Sequence, residues 1–221
     1  SCIVSCMKIA IIVQRYGPDI TGGSEHLCRM VAERLAKGHS VDVLTTCAKD
    51  YISWKNEYPA GRSTLNGVTI YRFPSTRTRD LESFNKFSDE LYNKPHTLED
   101  ELKWLEDQGP VAPALIEFLK SMHRSYDKLL FFTYLYYPAY HGLQIAPEKS
   151  VLVPTAHDEP AIRLSLFSRF LQNPTHSSTT LMPKSNSCKH YFSRHNFNKL
   201  RVLESILPSI LISAHSSRNK D

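Results

Sequence analysis

The chain has 221 residues, 41% of them hydrophobic, enough to bury a real core in one large domain or two small ones. Its formal net charge of +5 comes from 27 Lys and Arg against 22 Asp and Glu, scattered with no interleaved aromatic platform, so nucleic acid is not indicated as a partner. The longest clean apolar runs, "IAIIV" and "LLFF", are strand-sized and too short to span a bilayer, while Cys2, Cys6, Cys28, Cys47 and Cys188 lack zinc-site spacing and read as reduced thiols of a cytoplasmic protein.

Residues 1–6, "SCIVSC", are too short and uncharged for a signal peptide and are expected to be a non-native extension ahead of Met7. A first strand is predicted over Ile9 to Val13. The next apolar pattern, Glu25 to Lys37, puts Leu27, Met30, Val31 and Leu35 at helical spacing, with Ser24 or a neighbour as N-cap and Gly38 as the stop. The β-branched run Ser40 to Thr46 then completes a strand-helix-strand unit with a right-handed crossover.

Gly67 to Pro74, Tyr126 to Tyr134 and Ser150 to Ala156 read as further strands; the last two are nearly continuous apolar runs, as expected of strands buried on both faces. Between them, Phe84 to Tyr92 and Leu98 to Asp107 read as charged, amphipathic helices on the rim, and Pro113 to His123 as a helix aiming Leu115, Ile116 and Leu119 at the sheet. The fold class is α/β, a Rossmann-like parallel sheet with flanking helices over residues 7–170. From 171 to 221 the composition turns to Ser, Asn, Thr and His without a stable period, predicting an irregular tail.

Two loops carry candidate chemistry. "QRYGPDITGGSEH" sets Gly17, Gly22 and Gly23 after the first strand, where a doubly wound sheet places phosphates. Glycine lets a phosphate approach the backbone, and the following helix offers free N–H groups, although a bare tight turn explains the cluster equally well. Neither GxxxxGK[ST] nor GxGxxG is present, and the loop's length suits a flexible cover over an interdomain cleft. Arg15 is a further candidate phosphate contact, whereas His26 reads as a surface histidine.

"TAHDEP" follows a buried strand and precedes a helix starting near Pro160, so His157, Asp158 and Glu159 should project at the carboxyl edge of the sheet. Asp158 and Glu159 can alternatively cap that helix. In "FFTYLYYPAYH", Phe131 and Phe132 read as core, while Tyr134, Tyr136 and Tyr137 either pack or line an acceptor cleft.

Taken in order, "MKIAIIVQRYGPDITGGSEHLCRMVAERLAKGHSVDVLTT", "NGVTIYRFP" and "LVPTAHDEP" resemble the N-terminal, acceptor-side domain of family 4 glycosyltransferases, retaining hexosyltransferases of the GT-B fold. The resemblance implies a nucleotide-sugar donor as substrate, with no separate cofactor and no metal. It implies a glycan or other hydroxyl acceptor, with a membrane-surface acceptor and a peripheral place at the inner membrane as one option. Gly22 and Gly23 would face the donor diphosphate, and His157 the transferred sugar, with Gly17, Arg15, Glu159 and Tyr134 around the cleft. The family's Arg/Lys pair and acidic motif, carried by a C-terminal domain, have no counterpart in residues 171–221, so the fragment is expected to be inactive. A shifted reading frame through "SSTTLMPKSNS" is compatible with "IYNTHAEEQQL", close to the family's continuation, so a frameshift after about residue 170 is expected. The alternative is a stand-alone phosphate-ligand-binding module, or half of a split enzyme pairing with a separate donor domain.

Overall fold

The structure, a computed structural model, describes residues 6–156, 158–171 and 179–180, all within one compact unit, Ser1–Pro183. The chain opens with β1 (Lys8–Ile12), α1 (Gly23–Leu35) and β2 (Ser40–Thr46). A hairpin of β3 (Gly61–Leu65) and β4 (Val68–Phe73) follows, then α2 (Leu81–Asn93), α3 (Leu98–Gln108) and α4 (Pro113–Met122). The last elements are β5 (Lys128–Phe132), α5 (Tyr137–Gly142), β6 (Ser150–Val153), α6 (Ser165–Leu171) and the short β7 (Thr179–Thr180).

These strands form a single sheet in the order β3-β4-β2-β1-β5-β6-β7. All pairs are parallel except β3 with β4, so the α/β Rossmann-like class holds. β1 lies between β2 and β5, with Ile12 opposite Leu44 on one side and Phe131 on the other. Ile9, Ile11, Val43, Leu44, Leu129 and Phe131 are buried, the pattern of central strands covered on both faces.

Three sequence expectations change. α1 begins at Gly23, two residues early, with Gly22 at the N-cap and no side-chain cap. Its buried face is Cys28, Val31, Ala32 and Leu35, and Leu27 and Met30 are 38% and 47% exposed. The i, i+3, i+4, i+7 stripe of small and branched residues packs on the sheet, and the larger Leu27 and Met30 fall about 100° off it. β3 was not expected at all, because "GRSTL" is polar and mostly exposed. Its signal lay in the turn instead: Asn66 and Gly67 have φ of 49° and 82°, the positive pair that a two-residue hairpin needs.

The rim helices are held by local caps and one distant one. Asp80 accepts from the backbone N–H of Glu82 and Ser83 at the start of α2, and Thr97 and Asp100 form a capping box on α3. The carboxylate of Glu101, on α3, caps another helix, accepting from Ser165 N–H (3.0 Å), Ser165 O–H (2.7 Å) and Leu166 N–H (2.7 Å) at the start of α6. His96 Nε2 meets the same carboxylate at 2.9 Å. Burial alone would raise this carboxyl, but the bonds from Ser165, Leu166 and His96 outweigh it and hold the group below its ordinary value.

Of the expected irregular tail, Leu171 ends α6, and Thr179 and Thr180 pair with Val151 and Leu152. The rest of 172–221, with the shifted-frame stretch beyond Thr180, and residues 1–5 lie outside the described residues.

Candidate functional site

β1, β5 and β6 are parallel neighbours, so the segments leaving their carboxyl ends emerge along one edge. A cleft of about 480 Å³ opens there, lined by Gly23 and Ser24 from the start of α1, by Thr133, Leu135 and Tyr136 after β5, and by Thr155, Ala156 and Glu159 after β6. Every lining residue follows one of these three strand ends. Strand order reverses direction between β1 and β5, which is where open α/β sheets hold their ligands.

The cleft's floor is strained. Thr133 and Thr155 have φ of 69° and 46°, a left-handed conformation that is a genuine outlier for a β-branched residue. Their hydroxyls are hydrogen-bonded to each other at 3.0 Å, and Thr133 N–H donates to the carbonyl of Val153 at 2.9 Å. Such conformations cost about 1–3 kcal/mol each and cluster at ligand sites. Nothing in "FFTY" or "VPTA" announces them, because left-handed backbone is signalled in sequence by Gly, Asn or Asp.

Glu159 is the one charged side chain lining the cleft among the described residues. Tyr134, itself buried, donates its hydroxyl to Glu159 Oε1 at 2.7 Å. Burial and the neighbouring Glu159 carboxylate push the Tyr134 hydroxyl far above its usual value, so it remains a proton donor across the neutral range. Tyr136 lines the cleft with its own hydroxyl pushed up to about 12 by burial and the Glu25 carboxylate. Replacing Tyr134 by Phe keeps the edge-on ring contact with Phe167 and removes only the bond to Glu159. A loss of about 1 kcal/mol in urea denaturation is expected.

Other sequence candidates are placed elsewhere. Arg15 is 8% exposed and committed to Glu25, with Nη2 2.8 Å and Nε 2.9 Å from Oε1, while Nη1 donates to the Lys49 carbonyl at 2.7 Å. Burial would raise the Glu25 carboxyl, yet the Arg15 charge and a bond from Ser24 bring it below its ordinary value, so the pair is charged and internally neutralised. Neither Gly17, Gly22 nor Arg15 lines the cleft. A Cβ on Gly17 would overlap the Tyr58 hydroxyl, and one on Gly22 would overlap Glu25 Oε2 and lie 2.9 Å from Arg15 Nη2, whereas Gly23 has nothing within 4 Å. Packing therefore accounts for the first two glycines, and Gly23 is the open one. The loop is anchored rather than free, since Tyr16 and Ile20 are buried.

His157 lies outside the described residues, between Ala156 in the cleft wall and the exposed Asp158. Asp158 pairs with Arg163 at 3.1 Å, and Glu159 sits at the N-cap of a 3-10 turn, Pro160–Arg163, without a side-chain cap bond. Neither carboxylate caps the turn: Tyr134 takes Glu159 Oε1, and Asp158 is paired with Arg163. Sequence reasoning missed Ser24, Thr133, Leu135, Thr155 and Ala156 as cleft residues. Among the described residues no group of acidic, His and Cys side chains could hold a metal, and no helix is long and apolar enough to cross a membrane.

Fold and site together define a Rossmann-like α/β domain with a ligand-sized cleft at its carboxyl edge. No family model matches the chain, and no curated protein matches it. Among solved structures the chain is similar to sucrose-phosphate synthase from Thermosynechococcus elongatus, at 13% identity and a TM-score of 0.38, over 76% of this chain. It spans 36% of that structure's length.

Proposed function

We propose that residues 7–170 form the acceptor-side domain of a retaining glycosyltransferase of the family 4 kind, with a nucleotide-sugar's diphosphate received at Gly23 and Ser24. The supporting observation is the cleft itself. It gathers the first residues of α1, two strained threonines and an oriented carboxylate at the ends of three parallel strands. The first intrahelical bond of α1 runs from His26 N–H to the Gly22 carbonyl, so the N–H groups of Gly23 and Ser24 stand outside the helix's own ladder, at the positive end of its dipole.

In a retaining transfer the acceptor hydroxyl attacks the anomeric carbon on the face the diphosphate leaves, and negative charge builds on the leaving group. Positioned cations and N–H groups must meet that charge. No Arg, Lys or His lines the cleft among the described residues, and Arg15 is spent on Glu25. Two helix N–H groups are a small part of what is needed, so a second domain supplies the rest; His157 is the candidate for orienting the transferred sugar.

The test titrates the full chain with a panel of nucleoside diphosphate sugars, read by saturation-transfer NMR, and repeats it with Gly23→Val. Gly23 lines the cleft and a Cβ there meets nothing within 4 Å, so the variant adds bulk at an open position. Weak binding that Gly23→Val abolishes, with no nucleoside diphosphate released in an acceptor mixture, is the expected outcome. Absence of binding, or rapid sugar transfer by this chain alone, overturns the reading. Binding of inorganic phosphate equal to that of nucleotide-sugars would favour the stand-alone phosphate module.

A further inference from the structure

Beside the carboxyl-edge cleft lies a second cavity of about 440 Å³, between α2, α3 and the Pro160–Arg163 turn. Leu135 and Glu159 line both, so the two spaces adjoin. Their chemistry differs. The first cleft offers helix N–H groups, whereas the second presents the carboxylates of Asp89 and Glu159, the amide of Asn85 and the ring of Tyr92, and among the described residues no Arg, Lys or His lines it. Trp104 closes the cavity against the core, its indole N–H already given to Ser88 Oγ at 2.8 Å.

The polar groups are available. Asp89 and Asn85 are exposed, and their side chains make no hydrogen bond or ion pair among the described residues. Glu159 gives Oε1 to Tyr134 and keeps Oε2 for another donor. Carboxylates in this state accept hydrogen bonds from hydroxyl or ammonium groups, and a half-buried Tyr ring offers an apolar face to the C–H side of a sugar. An anion brought to the same place meets two like charges, with no cationic side chain among the described lining residues to offset them.

We propose that this cavity is a subsite for a polyhydroxylated ring that is uncharged or carries an amine, and that it rejects phosphorylated and carboxylated ligands. Its role as the acceptor side of the cleft rests on the glycosyl-transfer reading; its ligand chemistry does not. Glu159, at the junction, is positioned to receive a hydroxyl from a ring in this cavity while facing the space where the donor would sit.

The experiment titrates the full chain separately with glucosamine, methyl glucoside and glucose 6-phosphate at neutral pH, using the same NMR readout, and repeats each with Asp89→Asn and Asp89→Lys. Asp89 is an exposed helix position, so both variants should fold. Glucosamine is expected to bind most tightly, methyl glucoside next, and glucose 6-phosphate about tenfold or more weaker than the neutral sugar. Asp89→Asn should erase most of the preference for the amine, and Asp89→Lys should admit the phosphate ester. Glucose 6-phosphate binding as well as methyl glucoside, or no saturation from any of the three, overturns the proposal. Nucleotide-sugar binding, blocked by Gly23→Val, is read in parallel. If it fails while the sugar order stands, only the transferase reading falls, and the reverse result removes only this subsite.

Discussion

Replacing Glu101 by alanine is expected to destabilise the protein by about 3–5 kcal/mol, the scale for breaking a buried charged network by removing one partner. Glu101 is 2% exposed, and its two oxygens take the Ser165 N–H, Ser165 O–H and Leu166 N–H groups as well as His96. Without it, the first N–H groups of α6 lose their acceptor inside the protein. Ser165 and Leu166 are also what positions α6, whose Phe167 packs against Trp104 and Tyr134. The loss should therefore reach the turn that carries Glu159 into the cleft. Glu101→Gln keeps one acceptor oxygen and should cost less than Glu101→Ala in guanidinium denaturation.

The same contact sets a pH dependence. The Glu101 carboxyl is depressed from 4.5, so its contribution is complete above that value and is lost as pH falls through the lower folded one. His96 is raised from 6.5, first by its bond to the Lys94 carbonyl and then by Glu101, so its contribution is complete below 6.5 and is lost as pH rises through the folded value. Stability from this corner should peak between the two ordinary values. A wild-type profile with that peak, flattened on the acid side in Glu101→Gln and only partly on the alkaline side, where the Lys94 bond to His96 remains, is the expected result, and an unchanged profile in the variant would refute the assignment.

The sheet was legible in the sequence because buried parallel strands write themselves as apolar runs: "IAII", "VDVLTT" and "KLLFF" each became a strand within a residue or two. β3 was not legible by that route, since an edge strand with four exposed residues has no apolar run, and only Asn66-Gly67 betrayed it. The candidate cleft was half legible. Gly23 and Glu159 stood out in the sequence because loops after parallel strands are where such sheets hold ligands, and both line the cleft. Thr133 and Thr155 were not, since their importance lies in a backbone conformation their side chains disfavour. Arg15 and Gly22 lie off the cleft for one reason: Arg15 forms a buried ion pair with Glu25 and Gly22 makes room for it, an arrangement that in one dimension reads like a phosphate loop.

Gly22→Ala is expected to cost about 1–3 kcal/mol, the range for overpacking a filled space, although the backbone there is ordinary. Gly22 has φ −61° and ψ 142°, which alanine adopts without strain, so the whole penalty must come from what the new methyl meets. It meets Glu25 Oε2 and Arg15 Nη2. Both are the ends of long side chains, but they cannot swing away cheaply. Glu25 also accepts from Gln14 Nε2 at 3.0 Å and Ser24 Oγ at 2.8 Å, and Arg15 is held by the Lys49 carbonyl. Glu25→Ala alone should cost about 3–5 kcal/mol by leaving the Arg15 cation buried and unpaired. In that background the obstructing carboxylate is gone, so adding Gly22→Ala should cost little, and the double-mutant cycle should return a coupling close to the full single-mutant penalty. Gly23→Ala, one residue on, meets nothing within 4 Å and should be neutral or stabilising by about 0.4–1 kcal/mol through the unfolded chain. The two neighbouring glycines thus separate by experiment: if Gly22→Ala proved harmless with Glu25 in place, packing would not explain that residue, and a ligand approaching its backbone would be the remaining reason for it.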